Sequence, residues 1–151
     1  MIQNYALHQA LHQHALAIFD DLRQIRRHLH QFPELSGDEA NTTAYLLNKL
    51  QGLGLVFKKN LDGHGFFADL VSDPNKETVV LRVDIDALPI QELNEVPYRS
   101  QIPGVMHACG HDVHSAIGVG IARVLAELKE TLPLNIRIIF QPEEEEITGA
   151  K

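Results

Sequence analysis

Cysteine occurs once in these 151 residues, so no internal disulfide can form. No basic start leads into a continuous apolar run, which leaves neither a secretory leader nor a membrane span to expect. Basic residues are also scarce. Thirteen Lys and Arg face 20 Asp and Glu, the formal net charge is -7, and no basic stripe forms beyond Arg23, Arg26 and Arg27. Such a chain offers little to a polyanion, so neither nucleic acid nor an anionic membrane is an expected partner. The expected compartment is a reducing cytoplasm. What remains is an ordinary globular composition, 44% hydrophobic and 22% charged, sufficient for one domain with a core.

The single cysteine lies in the densest chemistry of the chain. Met106-His107-Ala108-Cys109-Gly110-His111-Asp112-Val113-His114 gathers three of the nine histidines, the cysteine and a carboxylate. Thiolate and imidazole are ligands for zinc and similar ions, and Gly110 permits the tight backbone that turns Cys109 and His111 toward one point. The competing reading is a buried free cysteine packing as a small hydrophobe among surface histidines.

Periodicity supplies the frame around this block. Leu7, Ala10, Leu11, Ala15, Ile18, Phe19, Leu22, Ile25 and Leu29 recur at helical spacing and predict an amphipathic helix from about Tyr5 to His30, ended by Pro33. His8, His12, His14, His28 and His30 read most simply as solvated side chains of that helix. Ser36-Gly37-Asp38-Glu39 has the form of a capping box opening a second helix to about Leu50. Strand-like runs follow at Leu55–Lys59, Gly65–Val71 and Thr78–Ile85, separated by Asp62-Gly63 and Asp73-Pro74-Asn75, and predict a small meander. Tyr98 to Val105 reads as loop. Val113 to Leu128 reads as a third helix with Asp112 as its N-cap, and Asn135 to Phe140 as another buried strand. The fold class expected is α/β.

Two strands deliver carboxylates at their ends. Thr78 to Asp86 closes on Asp84 and Asp86, and the last strand opens onto Gln141-Pro142 and the run Glu143 to Glu146. Alone, such a run reads as a solvated loop. Beyond a buried strand it lies where open α/β sheets form their crevice, and a metal held by Cys109 and His111 needs carboxylates as ligand and base.

Four ordered blocks carry a family resemblance: Arg26 to Leu35 (RRHLHQFPEL), Leu81 to Pro89 (LRVDIDALP), Met106 to His114, and Phe140 to Glu145 (FQPEEE). Together they resemble the M20 metallopeptidases, closest to the amidohydrolase branch of hippurate hydrolases, N-acyl-amino-acid deacylases and auxin-conjugate hydrolases. The resemblance implies a zinc-peptidase-like three-layer catalytic domain with a mixed sheet, of which residues 1–151 are the N-terminal part, without the satellite domain that assists homodimerisation. It implies Cys109, His111 and Glu145 as metal ligands and Glu144 as general base. Asp86 matches the aspartate that orients a metal-binding histidine two residues earlier in the wider family; here that earlier position is Asp84, and both aspartates are given supporting roles. Asp112 and His114 match positions close to the metal. The four-glutamate run leaves two registers for base and ligand, differing by one residue.

The chemistry implied is metal-assisted hydrolysis of the amide bond of an N-acyl amino acid or small peptide-like substrate. One or two divalent ions are implied, Mn2+ or Zn2+, with Co2+ or Ni2+ also suited to such ligands. Relatives continue past the point equivalent to Lys151 and contribute two further histidine ligands, so the 151-residue chain alone is expected to be inactive. Two alternatives stay open: a non-catalytic metal-binding fragment, and a thiol hydrolase with Cys109 as nucleophile.

Overall fold

The computed structural model describes residues 2–59 and 63–150. Helix α1 (Ile2–Gln31) leads into α2 (Ala40–Lys49), strands β1 (Val56–Lys59), β2 (Phe66–Leu70) and β3 (Thr78–Asp84), helix α3 (His111–Glu127), a short 3-10 turn at Lys129–Thr131 and strand β4 (Asn135–Gln141). The expected elements are present with ends displaced by at most three residues. Asp62 of the expected Asp62-Gly63 turn lies outside the described residues.

The order of the strands corrects the expected meander. It is β1-β2-β4-β3, with β4 antiparallel to β2 and parallel to β3. A parallel pair needs a crossover connection, and α3 supplies it. Asn135 holds the slot open for β4. Its side-chain oxygen accepts the Ser72 and Asp73 N–H groups (2.9 and 3.3 Å), and its amide nitrogen donates to the Asp73 and Lys76 carbonyls (2.8 and 3.0 Å). The turn after β2 is thereby drawn across the start of β4, so β3 pairs one strand further out.

Phe66, Ala68, Val83, Ile138 and Phe140 form the buried face of the sheet. Phe66 and Phe140 are register partners whose rings stack with centroids 4.5 Å apart. Helix α3 lies between this face and α1, and its small residues allow that. A Cβ at Gly118 would come 2.9 Å from Val83 Cγ2, and one at Gly120 would come 2.7 Å from Leu22 Cδ1. Ile25 and Leu29 of α1 and Leu46 and Leu50 at α2 complete the core; burying each such side chain contributes about 1.5–3 kcal/mol.

The stripe on α1 is only partly covered. Phe19, expected on the packed face, is 58% exposed, and Leu11, Ala15, Ile18 and Leu22 line an apolar groove of about 350 Å³ with Ile117 and Ile121. Among the described residues no helix is long and apolar enough to cross a membrane.

For the site, what matters is that β3 and β4 end together. Asp84 is the register partner of Gln141, and the Ile85 N–H donates to the Gln141 carbonyl at 3.0 Å. The Asp84-Ile85-Asp86 and Pro142 to Glu146 segments therefore leave the sheet side by side, beneath the start of α3.

Candidate metal centre

Asp86 is the anchor of the site. It is 1% exposed, and its Oδ2 accepts the Ser36 hydroxyl (2.8 Å) and the Glu145 N–H (2.9 Å). Its Oδ1 and backbone carbonyl both lie 3.0 Å from His111 Nδ1. Two oxygen acceptors at Nδ1 fix the hydrogen there and leave the Nε2 lone pair free to bind an ion. Burial alone would raise the Asp86 carboxyl, but the bonds from His111, the Glu145 N–H and Ser36 outweigh it and bring it below the usual range. For His111 the same contact wins in the other direction: burial lowers the imidazole, and Asp86 raises it further.

His111 opens α3 directly after Gly110, whose φ of +84° makes the left-handed turn. That turn brings Cys109 round to the same side. One ligand atom each from Cys109, His111 and Glu145 lie within 4.8 Å of one another. Cys109 is exposed, which rules out the packed-hydrophobe reading. Partial desolvation by its neighbours, despite that exposure, with the contact to Glu145 and the charges of Glu145, Glu144 and Asp84, pushes its thiol up, so without a cation the site opposes thiolate. Such a setting disfavours the thiol-nucleophile alternative and suits a ligand that ionises against a metal.

The acidic run is folded tightly, with two non-glycine residues in the left-handed region, Glu143 (φ 52°) and Ile147 (φ 57°). Each costs on the order of 1 kcal/mol, and such strain gathers at functional sites. The consequence is a sorting of the four glutamates. Glu144 Oε2 and Glu145 Oε1 lie 3.8 and 3.9 Å from His111 Nε2, Glu143 accepts the Thr148 hydroxyl at 2.5 Å, and Glu146 is exposed. Asp84 pairs with Arg82 (3.1 Å) and reaches His114 Nδ1 at 3.7 Å, so Asp84, His111 and His114 form a second group of neighbouring ligand atoms sharing His111. A thiol, an imidazole and a carboxylate converging on one point, with the buried Glu145 Oε1 lacking a hydrogen-bond partner, is a donor set that fits a divalent transition ion.

Several local expectations fail because long-range partners compete with near ones. Asp112 is not the N-cap of α3, a position Gly110 holds: it is fully buried inside the first turn, where Oδ1 accepts the Val113 N–H (2.9 Å) and Oδ2 bonds Arg26 (2.7 Å) and His30 (2.8 Å). Ser36 and Glu39 do not close a capping box. Ser36 serves Asp86, and the buried Glu39 accepts the Gly37 and Glu143 N–H groups (3.0 and 2.8 Å), bracing the acidic loop from α2. His30 is not solvated; it is 4% exposed between Asp112 and Glu92. The only sign of this in the sequence was His30's place in the Arg26 to Leu35 block; Glu92 gave none.

With this geometry in view, the comparisons are consistent. Residues 80–151 match Peptidase family M20/M25/M40. An N-acetyl-L-cysteine deacetylase of Bacillus subtilis is 46% identical over 126 residues, covering 83% of this chain and 30% of the relative. A dinuclear metal-binding peptidase of the M20 family, also from Bacillus subtilis, superposes with a TM-score of 0.84 at 38% identity, over 89% of this chain and 38% of that structure.

The chain belongs to the M20 family.

An IAA-amino acid hydrolase of Arabidopsis thaliana is a further relative, 41% identical over 88% of this chain and 30% of its own length. The M20 segment described here thus spans about a third of the length of the curated relatives it matches. Its α/β architecture with a mixed four-stranded sheet is that of the family's solved structures.

Proposed function

We propose that this M20 segment supplies one wall of the metal centre of an amidohydrolase that cleaves N-acyl amino acids or small peptide-like substrates in the cytoplasm, in a complete protein that is a homodimer. The observation that carries the proposal is the convergence of Cys109, His111 and Glu145 within 4.8 Å. We assign these three as ligands, Glu144 as general base and Asp86 as the carboxylate that orients His111. One or two divalent ions, Mn2+, Zn2+, Co2+ or Ni2+, would supply Lewis acidity toward a water and toward the acyl carbonyl.

The chain's own residues do the rest. Asp86 keeps the hydrogen on His111 Nδ1, so the imidazole offers Nε2 in one orientation. Glu144, half-buried at the mouth, accepts a proton from the attacking water and returns it to the leaving amine, yielding a carboxylic acid and an amino acid. Arg82 Nη2, 3.9 Å from Glu144 Oε1, steadies that carboxylate from the solvent side. Three ligands on two loops hold an ion without enclosing a substrate, so the 151-residue chain binds metal and does not turn over.

The test is to assay N-acetyl and N-benzoyl amino acids with the chain alone and with a chimera completed by the remaining two thirds of the Bacillus subtilis deacetylase. Turnover that depends on added metal is expected in the chimera only. A folded, metal-loaded chimera that hydrolyses none of the panel would overturn the substrate assignment, and turnover by the chain alone would overturn the claim that three ligands are too few.

A further inference from the structure

Between the end of β3 and the start of α3 the chain runs from Ile85 to Gly110 without a named helix or strand, yet this stretch carries Cys109 to the point where it meets His111 and Glu145. Two tethers bracket it. Before the ligand turn, Leu88 and Met106 exchange backbone hydrogen bonds, both 3.0 Å. After it, Asp112 is gripped from α1.

That second grip centres on one buried imidazole. His30 Nδ1 lies 2.8 Å from Asp112 Oδ2, and Nε2 lies 3.1 Å from Glu92 Oε1. Each ring nitrogen faces a carboxylate oxygen, and Arg26 Nη2 also lies 3.3 Å from Nδ1, so the ring is held from both sides. Arg26 Nε adds a contact of 2.7 Å to Asp112, and Glu92 is itself fixed by the Ser100 N–H (2.6 Å) and the Asn94 amide (3.2 Å). His30 joins residues 82 and 62 positions away, one next to His111 and one within the irregular stretch that leads to the ligand turn. All three members of the Glu92–His30–Asp112 chain are at most 4% exposed.

We propose that His30 is a positioning residue: clamped between Asp112 and Glu92, it fixes the Cys109-Gly110-His111 turn against α1 so that both ligand atoms meet Glu145. The inference rests on the reading of Cys109, His111 and Glu145 as metal ligands. A rotation at Asp112 turns the adjacent His111 away from Glu145, and supporting residues of this kind typically change metal affinity by about 10- to 100-fold.

The test is a Co2+ titration of the 151-residue chain, read by the thiolate-to-cobalt charge-transfer absorption, which reports Cys109 itself, with circular dichroism to verify folding. His30→Gln is expected to weaken Co2+ binding about 10- to 100-fold and to lower the absorption per bound ion. Glu92→Gln keeps an amide oxygen for the Ser100 N–H and should fall between wild type and His30→Gln; it carries the test if His30→Gln does not fold. Asn135→Ala is the control for stability alone, because it disrupts the opposite end of β4; its affinity and absorption should stay within about twofold of wild type.

Folded His30→Gln or Glu92→Gln with wild-type affinity and absorption would overturn the positioning role. So would an Asn135→Ala chain that loses as much affinity as His30→Gln. A wild-type chain with no thiolate absorption would instead overturn the ligand assignment, and this proposal with it.

Discussion

The two ends of β4 are both buried and polar, and they are built on opposite plans. At the start of the strand, Asn135 is neutral and satisfied: its amide makes bonds to Ser72, Asp73 and Lys76, and its N–H donates to Glu77. At the other end, Gln141 leads into the acidic run beside Asp84 and Asp86, and polar groups of that run and of the His107 to Asp112 segment near it are incompletely satisfied. Glu145 Oε1 and both ring nitrogens of the buried His107 have no hydrogen-bond partner among the described residues, and burial pushes His107 down to about 4. A buried group without a partner costs about 1–3 kcal/mol, so a fold keeps such groups where something else is to meet them. The neutral end organises the sheet; the charged end is where the function proposed above would hold its ion.

Substitutions at the two ends should therefore separate function from stability. The largest effect is expected for Glu144→Gln in the completed enzyme, which keeps the shape of the base but not its proton affinity: turnover should fall by about 10² to 10⁴ with metal retained. Glu143→Gln should leave most activity, and the reverse pattern would show that base and ligand sit one residue earlier. Next is Glu145→Gln, which should weaken metal binding by well over about tenfold in an equilibrium titration, with little change in helix content. Asn135→Ala should do the opposite, lowering unfolding free energy by about 2–4 kcal/mol in urea while metal affinity holds.

The smallest effect concerns a histidine remote from both ends. His28 stacks on Tyr45 with centroids 4.0 Å apart, and burial, then the charge of Lys49, lower its imidazole from the ordinary 6.5. The folded state thus prefers the neutral ring. Its contribution is present above 6.5 and is lost as pH falls through the depressed folded value. Urea midpoints of the metal-free chain at about pH 7.5 and about pH 5.5 should show a small acid loss that His28→Gln reduces.

Local chemistry was legible in the sequence, and long-range pairing was not. Cys109 and His111 are two residues apart, and strand-end carboxylates announced Asp84, Asp86 and the glutamate run. These depend on spacing and on where a strand stops. Asp112 reads as a cap because the capping rule looks only at near neighbours; one of its oxygens does accept the adjacent Val113 N–H, but the other is taken by Arg26 and His30 of α1. Glu39 likewise has a plausible local use but braces Glu143 across 104 residues. The strand order failed in the same way: nothing local to β2 and β3 reveals that β4 enters between them. Within the acidic run, composition cannot separate four identical side chains; the left-handed backbone at Glu143 does so, by aiming Glu144 and Glu145 at His111.

The most direct test of the open end of β4 is elemental analysis of the purified chain after equilibration with Mn2+ or Zn2+ and removal of free ion. Wild type and Asn135→Ala should retain about one equivalent or more of metal per chain, and Cys109→Ala should retain far less. Equal metal content in wild type and Cys109→Ala would show that the thiol is not a ligand and that the convergence of Cys109, His111 and Glu145 is not a metal site.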